Sequence, residues 1–187
     1  MVNYTALYDA CVLYPAPLRD LLLNLAQTGL FRARWTKDIH AEWIRNLVQA
    51  GYDRKRLERT RELMDKSVLG CLITGYEGII QTLQLPDNDD RHVLAAAIVG
   101  GADVIVTANL KHFPTEKLQP FGIAAQHPDD FIVCQIDLSP EKAYSAVKKQ
   151  RANLKNPSYT VEEFLTNLEK QHLPQTVVRL REASELI

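Results

Sequence analysis

The chain has 187 residues, of which 46% are hydrophobic and 24% charged, the proportions of a folded globular protein and not of a disordered one. That length holds one core of full size plus an appendage and excludes two ordinary domains. With 22 basic against 23 acidic residues, the overall charge favours no polyanion, so a nucleic-acid partner has to be held by local patches.

The predicted elements begin with a strand over Tyr4 to Tyr8. Pro17 opens a helix through Leu18, Leu21, Leu22 and Leu25 that closes at Gly29, a residue type favoured just past a helix end. Leu30 to Trp35 reads as a second strand. Thr36 or Asp38 caps a helix whose apolar side carries Ile39, Trp43, Ile44, Leu47 and Val48, with Glu42 in its second turn and Gly51 at its end. Asp53 caps a charged helix bearing Arg54, Lys55, Arg56, Arg59 and Arg61, and a short third strand follows at Leu72 and Ile73. Pro86-Asp87-Asn88-Asp89-Asp90 starts a helix with Val93, Leu94, Ala97 and Ile98 facing the core and Gly100-Gly101 at its exit. Val104 to Thr107 is a fourth, buried strand, Asn109 to Pro114 a loop, Thr115 the cap of a single turn, and Ile123 to Ala125 a fifth strand.

Short apolar runs alternating with helical segments define an α/β fold with right-handed crossovers and helices on both faces of the sheet. After Phe131 the texture changes: Ser139-Pro140 and the capping box Thr160/Glu163 open helices, and Pro157 and Pro174 separate segments. The expected division is an α/β domain over 1–135 and a helical extension over 136–187.

Cys11, Cys71 and Cys134 are far apart in sequence, without the close pairs of zinc sites, and read as reduced thiols. No basic segment followed by an apolar run stands at the N-terminus, and no stretch approaches the ~18 apolar residues of a membrane span. The expected location is cytoplasmic, with no membrane contact. Asn3-Tyr4-Thr5 fits the glycosylation pattern by chance, since no secretion signal accompanies it.

The most informative line is LPDNDDRHVLAAAIVGGADVIVTANLKHFP. Together with Ala-Leu-Tyr-Asp9-Ala-Cys-Val and Ile-His-Ala-Glu42-Trp-Ile, it resembles the PIN-domain family over roughly residues 3 to 131. In that family an aspartate ends the first strand, a glutamate lies on the helix after the second, an aspartate heads the helix before the fourth, and the fourth strand ends in Thr-x-Asp or Thr-x-Asn. The matching positions here are Asp9, Glu42, Asp90, and Thr107 with Asn109. The resemblance implies a five-stranded parallel sheet in the order 3-2-1-4-5. In such a sheet the first and fourth strands are neighbours whose connections leave in opposite directions, and ligands bind in the crevice at their carboxyl ends. One departure stands out: the family often has a further aspartate where this chain has His112, which leaves a second metal site incomplete.

Carboxylates gathered within a few ångströms repel one another unless a cation lies among them. Mg²⁺, or Mn²⁺ in its place, suits oxygen ligands and keeps waters that can be activated beside a phosphate. The expectation is therefore that Asp9, Glu42 and Asp90 bind the metal, with Asn109 as the fourth catalytic group, orienting water or a phosphate. Thr107, Arg45 and Arg54 are assigned to the substrate, the two arginines because RNA phosphates need cations that an acidic crevice lacks. Plainer readings stand beside these. Asp87, Asp89 and Asp90 are well placed to cap a helix, Thr107 and Asn109 to shape a turn, and the Arg45–Arg61 cluster to form a solvated surface. Burying Asp9 without a partner or metal would be costly. The histidines have no metal-ligand spacing, and His92 and His112 read as surface or loop residues.

Within the family the chain is most similar to VapC-like toxins, ribonucleases of type II toxin–antitoxin pairs. The resemblance implies an RNA substrate, a cognate antitoxin protein and often a homodimer. Two rivals remain: a non-catalytic PIN fold that binds RNA or protein, and a receiver-like regulator phosphorylated on Asp9, to which Thr107 and Lys111 invite comparison.

Overall fold

A computed structural model describes residues 4–187; Asn3, and with it the glycosylation pattern, lies outside the described residues. In chain order the elements are β1 (Thr5–Tyr8), α1 (Ala10–Leu13), α2 (Ala16–Ala26), β2 (Arg32–Arg34), α3 (Lys37–Gln49), α4 (Arg54–Ser67), α5 (Arg91–Gly100), β3 (Val104–Val106), α6 (Thr115–Leu118) and β4 (Ala124–Gln126). Four helices complete the chain: α7 (Pro128–Leu138), α8 (Pro140–Asn153), α9 (Val161–Glu169) and α10 (Pro174–Glu182). No helix among the described residues is long and apolar enough to cross a membrane.

The chain divides into two compact units. The first comprises the residues up to Tyr14 together with Phe31–His127 and contains the sheet. All its strands are parallel, and their order is β2-β1-β3-β4. Thr5 to Tyr8 and Val104 to Val106 are fully buried, as expected for central strands covered on both faces. The sequence called for five strands, and the described residues form a sheet of four. The segment read as the third strand does lie beside β2, but only one parallel pair forms, Trp35 with Leu72. Trp35 donates its N–H to Cys71 O and receives that of Ile73, both at 2.9 Å. Gly70 at φ +72° and Gly75 at φ +79° bend the chain on either side, so the run is too short for a ladder. The expected order 3-2-1-4-5 thus loses its first member and keeps the rest.

Local chemistry explains the helices that frame the sheet. The Thr36 hydroxyl accepts the N–H of Ile39 and starts α3, whose Ile39, Trp43, Ile44 and Leu47 are buried along one face. Asp53 accepts the N–H of Arg56 and starts α4. The small residues Ala95, Ala96 and Ala97 let α5 lie close on its neighbours. At Gly100 the approach is tight, since a Cβ there would stand 2.4 Å from Ile73 Cδ1 and that side chain would have to shift. The helix ends at Gly101 in the left-handed conformation.

The second unit comprises Pro15–Leu30 and Pro128–Ile187. It takes in α2, and α7 runs through the 135/136 boundary expected from the sequence. Gln150 donates to Pro17 O at 2.9 Å, tying α8 to the start of α2. The capping box predicted at Thr160 and Glu163 is present. Asp129, buried on α7, accepts the N–H groups of Gln175 and Thr176 at 2.9 and 2.8 Å and so caps α10 from another helix. Asp129→Ala leaves two N–H groups without acceptors and is expected to cost about 2 kcal/mol, Asp129→Asn less, because one acceptor survives. Urea denaturation followed by circular dichroism measures both, and an alanine variant as stable as wild type would remove this role.

Candidate active site

β1 and β3 are neighbours, with Leu7 beside Ile105 and Tyr8 beside Val106. The chain leaves β1 toward β2 and β3 toward β4, so their carboxyl ends flank the switch point of the sheet. Asp9 follows β1 there, and Thr107 to Asn109 follow β3.

Asp9 is 3% exposed, and its carboxylate is held on both oxygens. Oδ1 accepts the N–H of Ala10 at 2.7 Å, making Asp9 the N-cap of α1. Oδ2 accepts the hydroxyl of Thr107 at 2.7 Å and the thiol of Cys11 at 3.0 Å. The network then crosses to the other strand end: Cys11 Sγ accepts the N–H of Ala108 at 3.2 Å, and Thr107 Oγ1 that of Asn109 at 3.0 Å. Burial raises the Asp9 pKa, the Cys11 and Thr107 hydrogen bonds oppose the rise, and the Glu42 charge adds to it. Burial and the adjacent Asp9 charge push the Cys11 thiol far above its ordinary value, so Cys11 is a proton-bearing donor here and not a nucleophile.

A cleft of about 570 Å³ opens over these strand ends, lined by Asp38, Glu42, Arg45, Asp90, Asn109 and His112 among others. Glu42 reaches it from α3 and lies 3.5 Å from His92 Nε2. Burial works against a charged His92 ring, but the hydrogen bond and charge of Glu42, with Asp38 and Asp9 beyond, outweigh it and raise its pKa. Asp90 makes no cap hydrogen bond at the start of α5. Its Oδ2 lies instead 2.6 Å from His112 Nδ1. Burial raises the Asp90 pKa, His112 lowers it, and the Asp9 charge raises it further. Asp87 behaves as the cap expected of it, accepting the Asp89 N–H at 2.9 Å, yet its second oxygen lies 3.8 Å from His112 Nδ1.

Glu42, Asp90, Asn109 and Arg45 therefore share one cleft; Asp9 is not among its lining residues, but it feels the Glu42 charge and its own charge acts on Asp90 and His92. Thr107 is buried against Asp9. Arg54, the first residue of α4, is exposed and is not among the residues lining the cleft. His112 lies in the loop after β3, as expected, half-buried beside Asp90, whereas His92 is not in a loop but on α5, half-buried beside Glu42. Among the described residues, Asp87, Asp90 and His112 place one ligand atom each within 4.8 Å of the others. The only sequence signal for His112 was its place three residues after Asn109, where the family often has an acid.

The donor set suits a divalent cation. Carboxylates whose ionised forms are disfavoured by burial and by one another are relieved when a doubly charged ion lies among them. Asp87 and Asp90 offer oxygen donors and His112 a nitrogen within 4.8 Å of one another, Glu42 lines the same cleft, and Asp9 lies outside the lining, coupled to it through its charge.

The family model of the PIN domain matches residues 5–111, and that of the VapC50 C-terminal domain matches residues 128–182. A protein of Mycobacterium tuberculosis (strain ATCC 25618 / H37Rv), described as "Putative ribonuclease VapC50", is 40% identical over 107 residues. That alignment covers 57% of this chain and 62% of the relative, so the chain matches less than two thirds of the relative's length. No solved structure gives a significant match.

Proposed function

Because the chain belongs to the PIN-domain family, we propose that it is a ribonuclease that hydrolyses RNA phosphodiester bonds with a divalent metal, Mg²⁺ or Mn²⁺, and serves as the toxin of a type II toxin–antitoxin pair. The observation that supports this reading is one cleft lined by Glu42, Asp90 and Asn109, with the buried Asp9 outside the lining but near enough for its charge to act on Asp90. Asp9, Glu42 and Asp90 would hold the metal. When bound, it supplies positive charge for the phosphodiester's transition state and makes water a stronger nucleophile. The protein's own groups do the rest. Thr107, Cys11 and Ala10 fix the Asp9 carboxylate before any ligand arrives, so no rotamer entropy is lost on binding. The Asn109 amide offers a donor and an acceptor to water or to a phosphate oxygen. Arg45 on the rim meets the phosphate charge, while Arg54 and the exposed Lys55, Arg56 and Arg59 of α4 would steer the RNA backbone from outside the cleft.

The test is cleavage of a structured RNA by the purified chain with Mg²⁺ or Mn²⁺, with and without chelator, beside Asp90→Asn. Cleavage should stop on chelation and fall at least about 100-fold in the variant. Cleavage indifferent to both sinks the reading. A cognate antitoxin should silence the activity, and expression of the chain alone should arrest growth; harmless expression beside active nuclease would remove the toxin role and leave the chemistry.

A further inference from the structure

Among the cleft groups that the oxygen-ligand scheme leaves without work is His112. Its ring is not loosely placed. His112 closes a single turn, donating its N–H to Asn109 O at 2.9 Å, and the next residue, Phe113, is a core residue 2% exposed. The turn is thus anchored on both sides and carries the imidazole back to the helix start at Asp90, although 22 residues separate the two. Nδ1 is the atom presented to both carboxylates, 2.6 Å from Asp90 Oδ2 and 3.8 Å from Asp87 Oδ2. A histidine serving only as an ion-pair partner needs one carboxylate; two acids and a ring nitrogen converging on one point have the composition of a cation's ligand set.

We infer that His112 Nδ1, together with Asp87 and Asp90, is a direct ligand of the metal in this cleft, and that the site consequently prefers a first-row transition ion, Mn²⁺, over Mg²⁺. The inference rests on the nuclease reading for the presence of an ion. Chemistry supplies the preference: Mg²⁺ keeps to oxygen donors and its own waters, whereas an imidazole nitrogen binds transition ions more strongly along the Irving–Williams series. Ligation through Nδ1 requires the tautomer that leaves this nitrogen without a proton.

The experiment is Mn²⁺ titration of the full chain, followed by electron paramagnetic resonance with Mg²⁺ as competitor. Pulsed measurements on protein carrying ¹⁵N-histidine then look for nitrogen coupling to the bound ion. Wild type should show histidine nitrogen coupling that persists in His92→Gln and vanishes in His112→Asp and His112→Gln. The preference for Mn²⁺ over Mg²⁺ should shrink at least about tenfold in His112→Asp, which restores an all-oxygen set. A purely structural His112 would lower thermal stability and leave coupling and preference unmoved. Failure of Mn²⁺ to bind, absence of coupling in wild type, its loss in His92→Gln instead, or an unchanged ion preference in His112→Asp each overturns the inference. The two readings fail separately: metal-dependent RNA cleavage without nitrogen coupling removes only the ligand assignment, and coupling without cleavage removes only the nuclease.

Discussion

Asp9→Asn is expected to reduce RNA cleavage on the order of 10³-fold in kcat/KM while leaving the fold intact. The substitution is nearly isosteric, so the loss would report charge and not packing. Its effect on stability is the sum of two small opposing contributions. The asparagine amide cannot accept everywhere the carboxylate does: Ala10 N–H approaches Oδ1, while Thr107 and Cys11 approach Oδ2, so one side loses its acceptor at about 1 kcal/mol. Against that, the neutral side chain no longer has to carry a buried charge beside Glu42, the conflict that raises the Asp9 pKa. A variant with wild-type circular dichroism, near-wild-type thermal midpoint and no cleavage fits a metal ligand. A variant that cleaves normally excludes Asp9 from the chemistry. One that unfolds makes Asp9 a structural cap of α1 first and foremost.

The sequence foretold this arrangement unevenly, for physical reasons. β1 and β3 were legible because strands buried on both faces are written as continuous apolar runs, and Asp9 was legible because an acid at the end of such a run needs a reason to be there. α3, α4 and α5 announced themselves by apolar spacing, caps and the closing Gly101. The third strand failed because Leu72 and Ile73 carry strand residues, while pairing was decided by the bends at Gly70 and Gly75. The membership of α2 in the second unit was invisible, since it depends on partners such as Gln150, 133 residues away. His112 and His92 were passed over on the same ground: a lone histidine shows no spacing, and what it meets is set by tertiary structure.

Asp65→Ala is expected to destabilise the protein by about 3 kcal/mol, a larger effect than a half-exposed helix acid ordinarily commands. Asp65 on α4 is the acceptor on which a buried polar chain ends. Trp35 Nε1 donates to its Oδ1 at 2.8 Å, and His40 Nε2 lies 2.9 Å from the same oxygen. Trp43 Nε1 in turn donates to His40 Nδ1 at 3.0 Å. A ring that accepts at Nδ1 carries its proton on Nε2, so His40 is neutral, in line with burial lowering its pKa against the pull of Asp65. Trp35 and His40 are all but inaccessible to water, and removing the carboxylate strands two donors where nothing can replace their partner. Asp65→Asn separates geometry from charge, because its amide oxygen can occupy the Oδ1 position and keep both bonds; it is expected to cost under about 1 kcal/mol. The chain's two tryptophans both belong to this network, so urea unfolding followed by tryptophan fluorescence reads it directly. If asparagine proves as damaging as alanine, the interaction is an ion pair with a protonated His40 and the neutral tautomer is wrong. If neither variant loses stability, the network does not hold α3, the helix that carries Glu42 and Arg45, and the site must owe the position of those side chains to apolar packing alone.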